Sequence, residues 1–351
     1  MEKRRNVTFC EKCRKTGLPP FGSAQKRVKG ASRMIWECAP MEGVTGDLFR
    51  QAQARHFDRA DRYYTPFLSA TETRTLAARE MRELEPSHNA GLNVIPQLMG
   101  HDPDDFNWMA GAIRDLGYTE VNLNLGCPSA TVTAKKKGAG LLGERALLER
   151  MLDGIFAGSP LPVSIKTRLG CKSAEEFPAL VELYNRYPVQ ELIVHARVMT
   201  QQYGGAPDLD AFAYALEHSR APVCYNGDVF DMPAVQRLTE RFPTLERVMI
   251  GRGLAANPGL LTELRTGTPP APDELRAFHD TLYALTRERI PDRRAALFRM
   301  KEAWQYLSCA FVDPKKPLKA IRKATRTEDY ESAVRLLFAD CAVREHPGFH
   351  L

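Results

Sequence analysis

The chain has 351 residues, a net charge of +6 and an ordinary globular mix of 44% hydrophobic and 26% charged residues, which excludes collagen-like, coiled-coil and wholly disordered classes. No apolar run approaches the roughly 20 residues needed to span a bilayer, and the start, MEKRRNVTF, lacks the apolar stretch of a secretory signal. Eight cysteines scattered through a long chain point to a reducing compartment, the cytoplasm, and away from a disulfide scaffold.

Residues 1–33 carry ten Lys/Arg against two Glu, with no apolar period, a Pro-Pro and several glycines; they read as a basic N-terminal extension. Cys10 and Cys13 make half a zinc site with no second pair nearby, and a structural zinc needs four ligands, so no metal is expected. A tail that grips RNA, or a true start at Met34, are the two readings of this segment.

From residue 35, β-prone runs end near Ala39, Tyr64, Gln97, Asn124, Lys166, His195, Asn226 and Ile250. Each gap has room for a loop, a helix and the next strand, and helical patterns occupy 104–116, 141–156 and 175–187. Eight strands alternating with helices predict an α/β fold, a (β/α)8 TIM barrel over residues 34–271. A doubly wound open sheet is the alternative.

After residue 272 the strand signal stops. Leu297, Met300, Trp304, Leu307 and Phe311 recur at three and four residues, the core-facing stripe of a helix. Pro314-Lys315-Lys316-Pro317 breaks it, and a second helix at 318–325 carries Lys319, Arg322 and Lys323. Residues 272–351 therefore read as a C-terminal α-helical domain with one basic face. The stretch 287–326 holds twelve Lys/Arg against four acidic residues, which suits a polyanion or simply a solvated surface.

Loops at the C-terminal ends of barrel strands build active sites, and here those ends are chemically loaded. In order they give Pro40-Met41-Glu42, Gln97, Asn124 with Gly126-Cys127-Pro128, Lys166 and Arg168, His195 and Arg197, Asn226-Gly227-Asp228, and Gly251-Arg252-Gly253. Any one suits a turn or cap; so many at the same end of their strands point to a site. After strands seven and eight, glycines let backbone N–H groups approach a phosphate and Arg252 adds a fork of donors.

The run NLNLGCPSATVTAKKKGAGLLG, with APMEG, KTRLG, the His-x-Arg at 195–197, NGD and GRG, resembles the dihydrouridine synthases, flavin enzymes that reduce uridine in tRNA. The resemblance runs from about Ile35 to the C-terminal helices and implies a flavin-binding barrel followed by a helical tRNA-binding domain. It implies FMN across the barrel mouth and NADPH as hydride donor. It places Pro40, Met41 and Glu42 beside the isoalloxazine, Gln97 and Lys166 at its pyrimidine edge, and His195 against it. Asn226, Gly227, Asp228, Gly251 and Arg252 fall on the ribityl-phosphate side. Cys127 matches the proton donor. Hydride addition at C6 of uracil builds charge on C5 and O4, and a thiol still protonated at neutral pH can deliver a proton to C5.

Asn124, Arg168 and Arg197 are candidates for holding the uracil or adjacent phosphates, and Lys319, Arg322 and Lys323 for the rest of the tRNA. Lys135, Lys136 and Lys137 suit RNA backbone or a solvated loop. Ala196 and Val198 stand where the family commonly has glycine and threonine, a change in the sixth loop. The expected molecule is a monomer. A flavin reductase of a free pyrimidine or small enone, and a non-catalytic RNA-binding barrel, are the rival readings; the basic helices argue against the first and the intact Cys127 against the second.

Overall fold

Short runs of Val, Ile and Leu become strands in a computed structural model that describes residues 34–70 and 74–349; Cys10, Cys13 and the rest of the 1–33 extension lie outside the described residues. The strands are β1 (Ile35–Cys38), β2 (Arg62–Tyr64), β3 (Val94–Ile95), β4 (Gln97–Leu98), β5 (Val121–Leu125), β6 (Val163–Arg168), β7 (Leu192–His195), β8 (Val223–Asn226) and β9 (Arg247–Ile250). They pair in parallel in the order β3-β2-β1-β9-β8-β7-β6-β5-β4. β3 and β4 are one stave interrupted at Pro96, which has no N–H to give the ladder. The two ends of the order meet there, so eight staves close a TIM barrel.

Helices follow the staves as the alternation predicts, among them Asp47–His56, Pro103–Asp115, Leu209–His218 and Met232–Arg241. Two expected helices start later than their apolar pattern. Residues Gly138–Gly143 form a tighter 3-10 turn before the helix Arg145–Gly158, and Ala174–Glu176 another before Phe177–Tyr184. Ser173 caps the second turn by accepting the N–H of Glu175, and Glu176 returns a carboxylate to the N–H of Ser173.

The two-residue period of a strand sorts the side chains. Val121, Leu123, Leu125, Val163, Ile165, Leu192, Val194, Val248 and Ile250 join the core shared with the helices. Tyr64, Ile193, Cys224 and Met249 form a separate cluster inside the barrel. The residues between the outward ones (Asn122 and Asn124, Ser164, Lys166 and Arg168, His195, Asn226) belong to the inner face. Cross-strand register aligns Arg168, His195, Asn226 and Met249, so their side chains share one level near the strands' C-terminal ends. At the opposite ends, Arg62 bridges Glu191 at 2.8 Å and Glu120 at 2.6 Å, and Arg247 reaches Glu191 at 2.9 Å. Glu37, buried beside them, is held well above the usual carboxylate range by burial and then by Glu191.

Past the barrel come the helices Pro272–Arg289, Arg293–Leu307, Lys315–Lys323 and Thr327–Asp340. Trp304 Nε1 donates to the Tyr330 hydroxyl at 3.0 Å, and His279 lies 2.8 Å from that same oxygen. The stripe Leu297–Leu307 is one helix as expected, but Phe311 falls beyond it, in an isolated bridge to Val343. Pro317 sits in the first turn of Lys315–Lys323, where no N–H is required, so the Pro-Lys-Lys-Pro run opens a helix as well as separating two. Among the described residues no helix is long and apolar enough to cross a membrane.

Candidate active site

At the C-terminal ends of the strands a cavity of about 430 Å³ opens, within the ~300–1,000 Å³ usual for a ligand site. Pro40, Met41, Glu42, Gln97, Asn124, Cys127, Lys166, Arg168, His195, Asn226, Gly227, Asp228, Gly251 and Arg252 all line it. Arg197 does not, and Lys319, Arg322 and Lys323 stand elsewhere, solvent-exposed on their helix.

A chain of side-chain amides crosses the barrel toward the cysteine loop. Asn122 Nδ2 donates to Ser164 Oγ at 3.0 Å, Gln97 Nε2 to Asn122 Oδ1 at 2.7 Å, and Asn124 Nδ2 to Gln97 Oε1 at 2.7 Å. Asn124 Oδ1 then accepts the backbone N–H groups of Gly126 at 3.0 Å and Cys127 at 2.9 Å. Arg168 pins the same loop from the next stave: its Nε donates to the Gly126 carbonyl at 2.8 Å and its Nη1 to the carbonyls of Gln202 at 2.7 Å and Val198 at 3.1 Å. The loop closes on itself at Gly138 (φ +55°), where a β-carbon would stand 2.8 Å from the Cys127 carbonyl. That contact is the physical reason for a glycine eleven places after the cysteine.

Lys166 lines the cavity and, among the described residues, makes no hydrogen bond or ion pair. Burial first, then the neighbouring Arg168, pulls its ammonium down to about 7. Burial and the surrounding cations also hold His195 well below the usual imidazole range. Arg197 Nη1 lies 3.3 Å from His195 Nε2. A guanidinium only donates, so Nε2 accepts and the ring proton sits on Nδ1.

Asp228 joins two arginines. It takes Arg197 Nη1 on Oδ1 at 2.9 Å and Arg252 Nη2 on the same oxygen at 2.6 Å. Arg197 also donates to the carbonyls of Gly204 and Gly205 and is fully buried. With no exposed donor surface, Arg197 anchors the Tyr203 loop and Asp228 from behind the cavity wall.

Four aromatic cavity residues carry no sequence signal: Phe67, Tyr203, Tyr306 and Phe349. Tyr203 is 51% exposed, with the guanidinium carbons of Arg168 and Arg252 at 5.6 and 5.1 Å from its ring centre. Tyr306 and Phe349 come from beyond residue 271, so the C-terminal segment helps to wall a barrel cavity.

This chain matches the family model described as dihydrouridine synthase over residues 37–334. It is similar to the tRNA-dihydrouridine(16) synthase of Shigella flexneri, 31% identical over 243 residues, covering 67% of this chain and 76% of the relative. The tRNA-dihydrouridine(16) synthase of Aquipseudomonas alcaligenes is 30% identical over 243 residues, covering 66% and 76%. Among solved structures, histamine dehydrogenase from Rhizobium sp. 4-9 superimposes with a TM-score of 0.50 at 11% identity, over 71% of this chain and 49% of that one, a likeness of fold alone.

Proposed function

Because this chain belongs to the dihydrouridine synthase family, we propose that it reduces uridines of tRNA to 5,6-dihydrouridine, with FMN in the barrel cavity and NADPH as the source of electrons. The observation that carries this reading is the placement of Cys127 on one wall of the cavity whose other walls hold Lys166, His195, Gly251 and Arg252. Those residues suit a flavin. Lys166 has no carboxylate partner among the described residues, so an anionic ligand would favour its charged form. At Gly251 a β-carbon would stand 3.1 Å from Met41 Sδ and 3.3 Å from Ala39 Cβ, so a side chain there would crowd the cavity wall.

The chemistry a reduced flavin supplies when bound is a hydride for C6 of the uracil. The protein's part is to complete the addition. Cys127 gives its thiol proton to C5, where charge gathers through conjugation with the C4 carbonyl, and the thiolate regains a proton from solvent. Asn124 and Arg168 fix the cysteine loop, so the donor is in place before the substrate arrives. The Lys166 ammonium favours negative charge on the pyrimidine side of the cofactor. His195, with Nε2 occupied by Arg197, offers Nδ1–H as a donor. Residues 34–271 form the catalytic barrel, and the basic helix Lys315–Lys323 in the segment 272–351 holds tRNA backbone. The target base must leave its stack to enter the cavity, which costs least for a loop nucleotide.

The test is direct. The purified chain is expected to bind FMN and to convert uridine in unmodified tRNA to dihydrouridine with NADPH. Mapping dihydrouridine in tRNA from cells lacking the protein then locates the target. Protein that gains no flavin on adding FMN sinks the reading, and equal activity on free uridine and on tRNA removes its RNA part.

A further inference from the structure

Arg252 is boxed by aromatic rings from three separate parts of the chain. Its guanidinium carbon lies 5.1 Å from the ring centre of Tyr203, 5.3 Å from Phe230 and 4.9 Å from Phe349. Ring faces attract a guanidinium without taking its N–H groups. Among the described residues, Asp228 alone accepts from Arg252, through Nη2. An arginine has five N–H donors, so the guanidinium keeps donors beyond its bond to Asp228 for a ligand of the cavity that Arg252 lines.

The third ring arrives on a tethered segment. Beyond the last helix, the Val312 N–H donates to the Ala342 carbonyl and the Arg344 N–H to the Ala310 carbonyl, each at 2.8 Å. Asn257 Nδ2 then donates to the Pro347 carbonyl at 3.1 Å. At Gly348 a β-carbon would stand 2.8 Å from the Phe230 carbonyl, so the chain passes there only as glycine. These anchors deliver Phe349 to Arg252, with Phe230 at 5.4 Å and Tyr306 at 5.9 Å between ring centres.

We propose that Phe349 is a positioning residue for Arg252, and that the segment Pro347–Phe349 thereby completes the end of the cavity that binds the phosphate of FMN. This rests on the flavin reading above and adds to it a residue far outside the barrel sequence. A phosphomonoester is the ligand class that uses several free guanidinium donors at once.

The experiment is a titration of the full chain with FMN and with riboflavin, which lacks the phosphate, followed by quenching of flavin fluorescence. Phe349→Ala is expected to weaken FMN binding about tenfold, in keeping with a partly desolvated cation–π contact, and to change riboflavin binding less than twofold. Phe349→Tyr keeps the ring and is expected to restore FMN binding. In an Arg252→Met background, Phe349→Ala is expected to have no further effect on the ratio of the two affinities. A wild-type chain that binds FMN, with the ratio unchanged in Phe349→Ala, overturns this inference alone. So does an equal loss for both ligands, or a loss of tRNA affinity with the ratio intact. A wild-type chain that binds neither ligand overturns the flavin reading and this inference together.

Discussion

Asn124 Oδ1 accepts the backbone N–H of Cys127 at 2.9 Å while Asn124 Nδ2 donates to Gln97 at 2.7 Å. One carboxamide thus ties the Cys127 loop to the amide chain inside the barrel, and the same side chain also lines the cavity. Asn124→Ala leaves the N–H groups of Gly126 and Cys127 without this acceptor, a loss worth ~1–3 kcal/mol at a buried site. The expected outcome is a fall of about tenfold or more in single-turnover reduction of tRNA, with FMN affinity within threefold of wild type. Unchanged tRNA reduction would show that the loop keeps its shape without Asn124.

Removing the thiol itself separates the two halves of the reaction. Cys127→Ala is expected to retain FMN and to oxidise NADPH at close to the normal rate, because neither needs a proton at C5. Dihydrouridine formation in tRNA is expected to fall by about 10²-fold or more, the range for a general acid. Stopped-flow absorbance of the flavin and mass spectrometry of digested tRNA read the two halves independently. Normal dihydrouridine yield in the variant assigns the proton to another group.

Much of this site was legible because a barrel strand has a period of two and ends in a loop. Inward residues and the polar residues just past each strand are written in order along the chain, and Gln97, Asn124, Lys166, His195 and Asn226 are found on one cavity as that pattern implies. What the pattern cannot carry is the direction in which a long side chain spends its donors. Arg168 and Arg197 look alike in sequence, each two residues past an inward cavity residue, Lys166 and His195, yet Arg168 reaches the cavity wall while Arg197 is consumed by Asp228 and two carbonyls. Tyr203, Tyr306 and Phe349 were illegible for a different reason. Each stands alone in a loop or at a helix end, with no periodicity to mark it, and only tertiary packing brings them together. The 3-10 turns at Gly138–Gly143 and Ala174–Glu176 have no signature of their own in the sequence, because their apolar spacing continues into the helices that follow.

Lys166 gives a pH signature. Its ammonium is pulled down to about 7 by burial and by Arg168, so in the ligand-free protein it is largely neutral at pH 8. An anion entering the cavity favours the charged form and raises the value again. FMN binding at pH 8, where the phosphate is already fully ionised because its second pKa is about 6, is therefore expected to take up a fraction of a proton. Calorimetry in buffers of different ionisation enthalpy measures this. Lys166→Met is expected to abolish the uptake; uptake that persists in the variant places the titrating group elsewhere.

The helix Lys315–Lys323 buries Ile321 and exposes Lys315, Lys316, Lys319, Arg322 and Lys323. Among the described residues none of these five cations has a carboxylate partner, unlike Arg326, which lies 3.5 Å from Glu328. Unpaired charge on a single face is what a phosphate backbone meets by releasing counterions, with a log–log salt slope of about −0.7 to −0.9 per phosphate neutralised. Lys319→Glu combined with Lys323→Glu removes two such contacts and adds two repulsions. The expected result is a weakening of tRNA binding by more than tenfold at about 0.1 M salt, a salt slope shallower by about 1.4 to 1.8, and an unchanged flavin absorbance spectrum. Filter binding or fluorescence anisotropy across a salt series measures both quantities. Equal affinities and equal slopes for the two proteins would make this helix a solvated face and move the RNA contact to another surface.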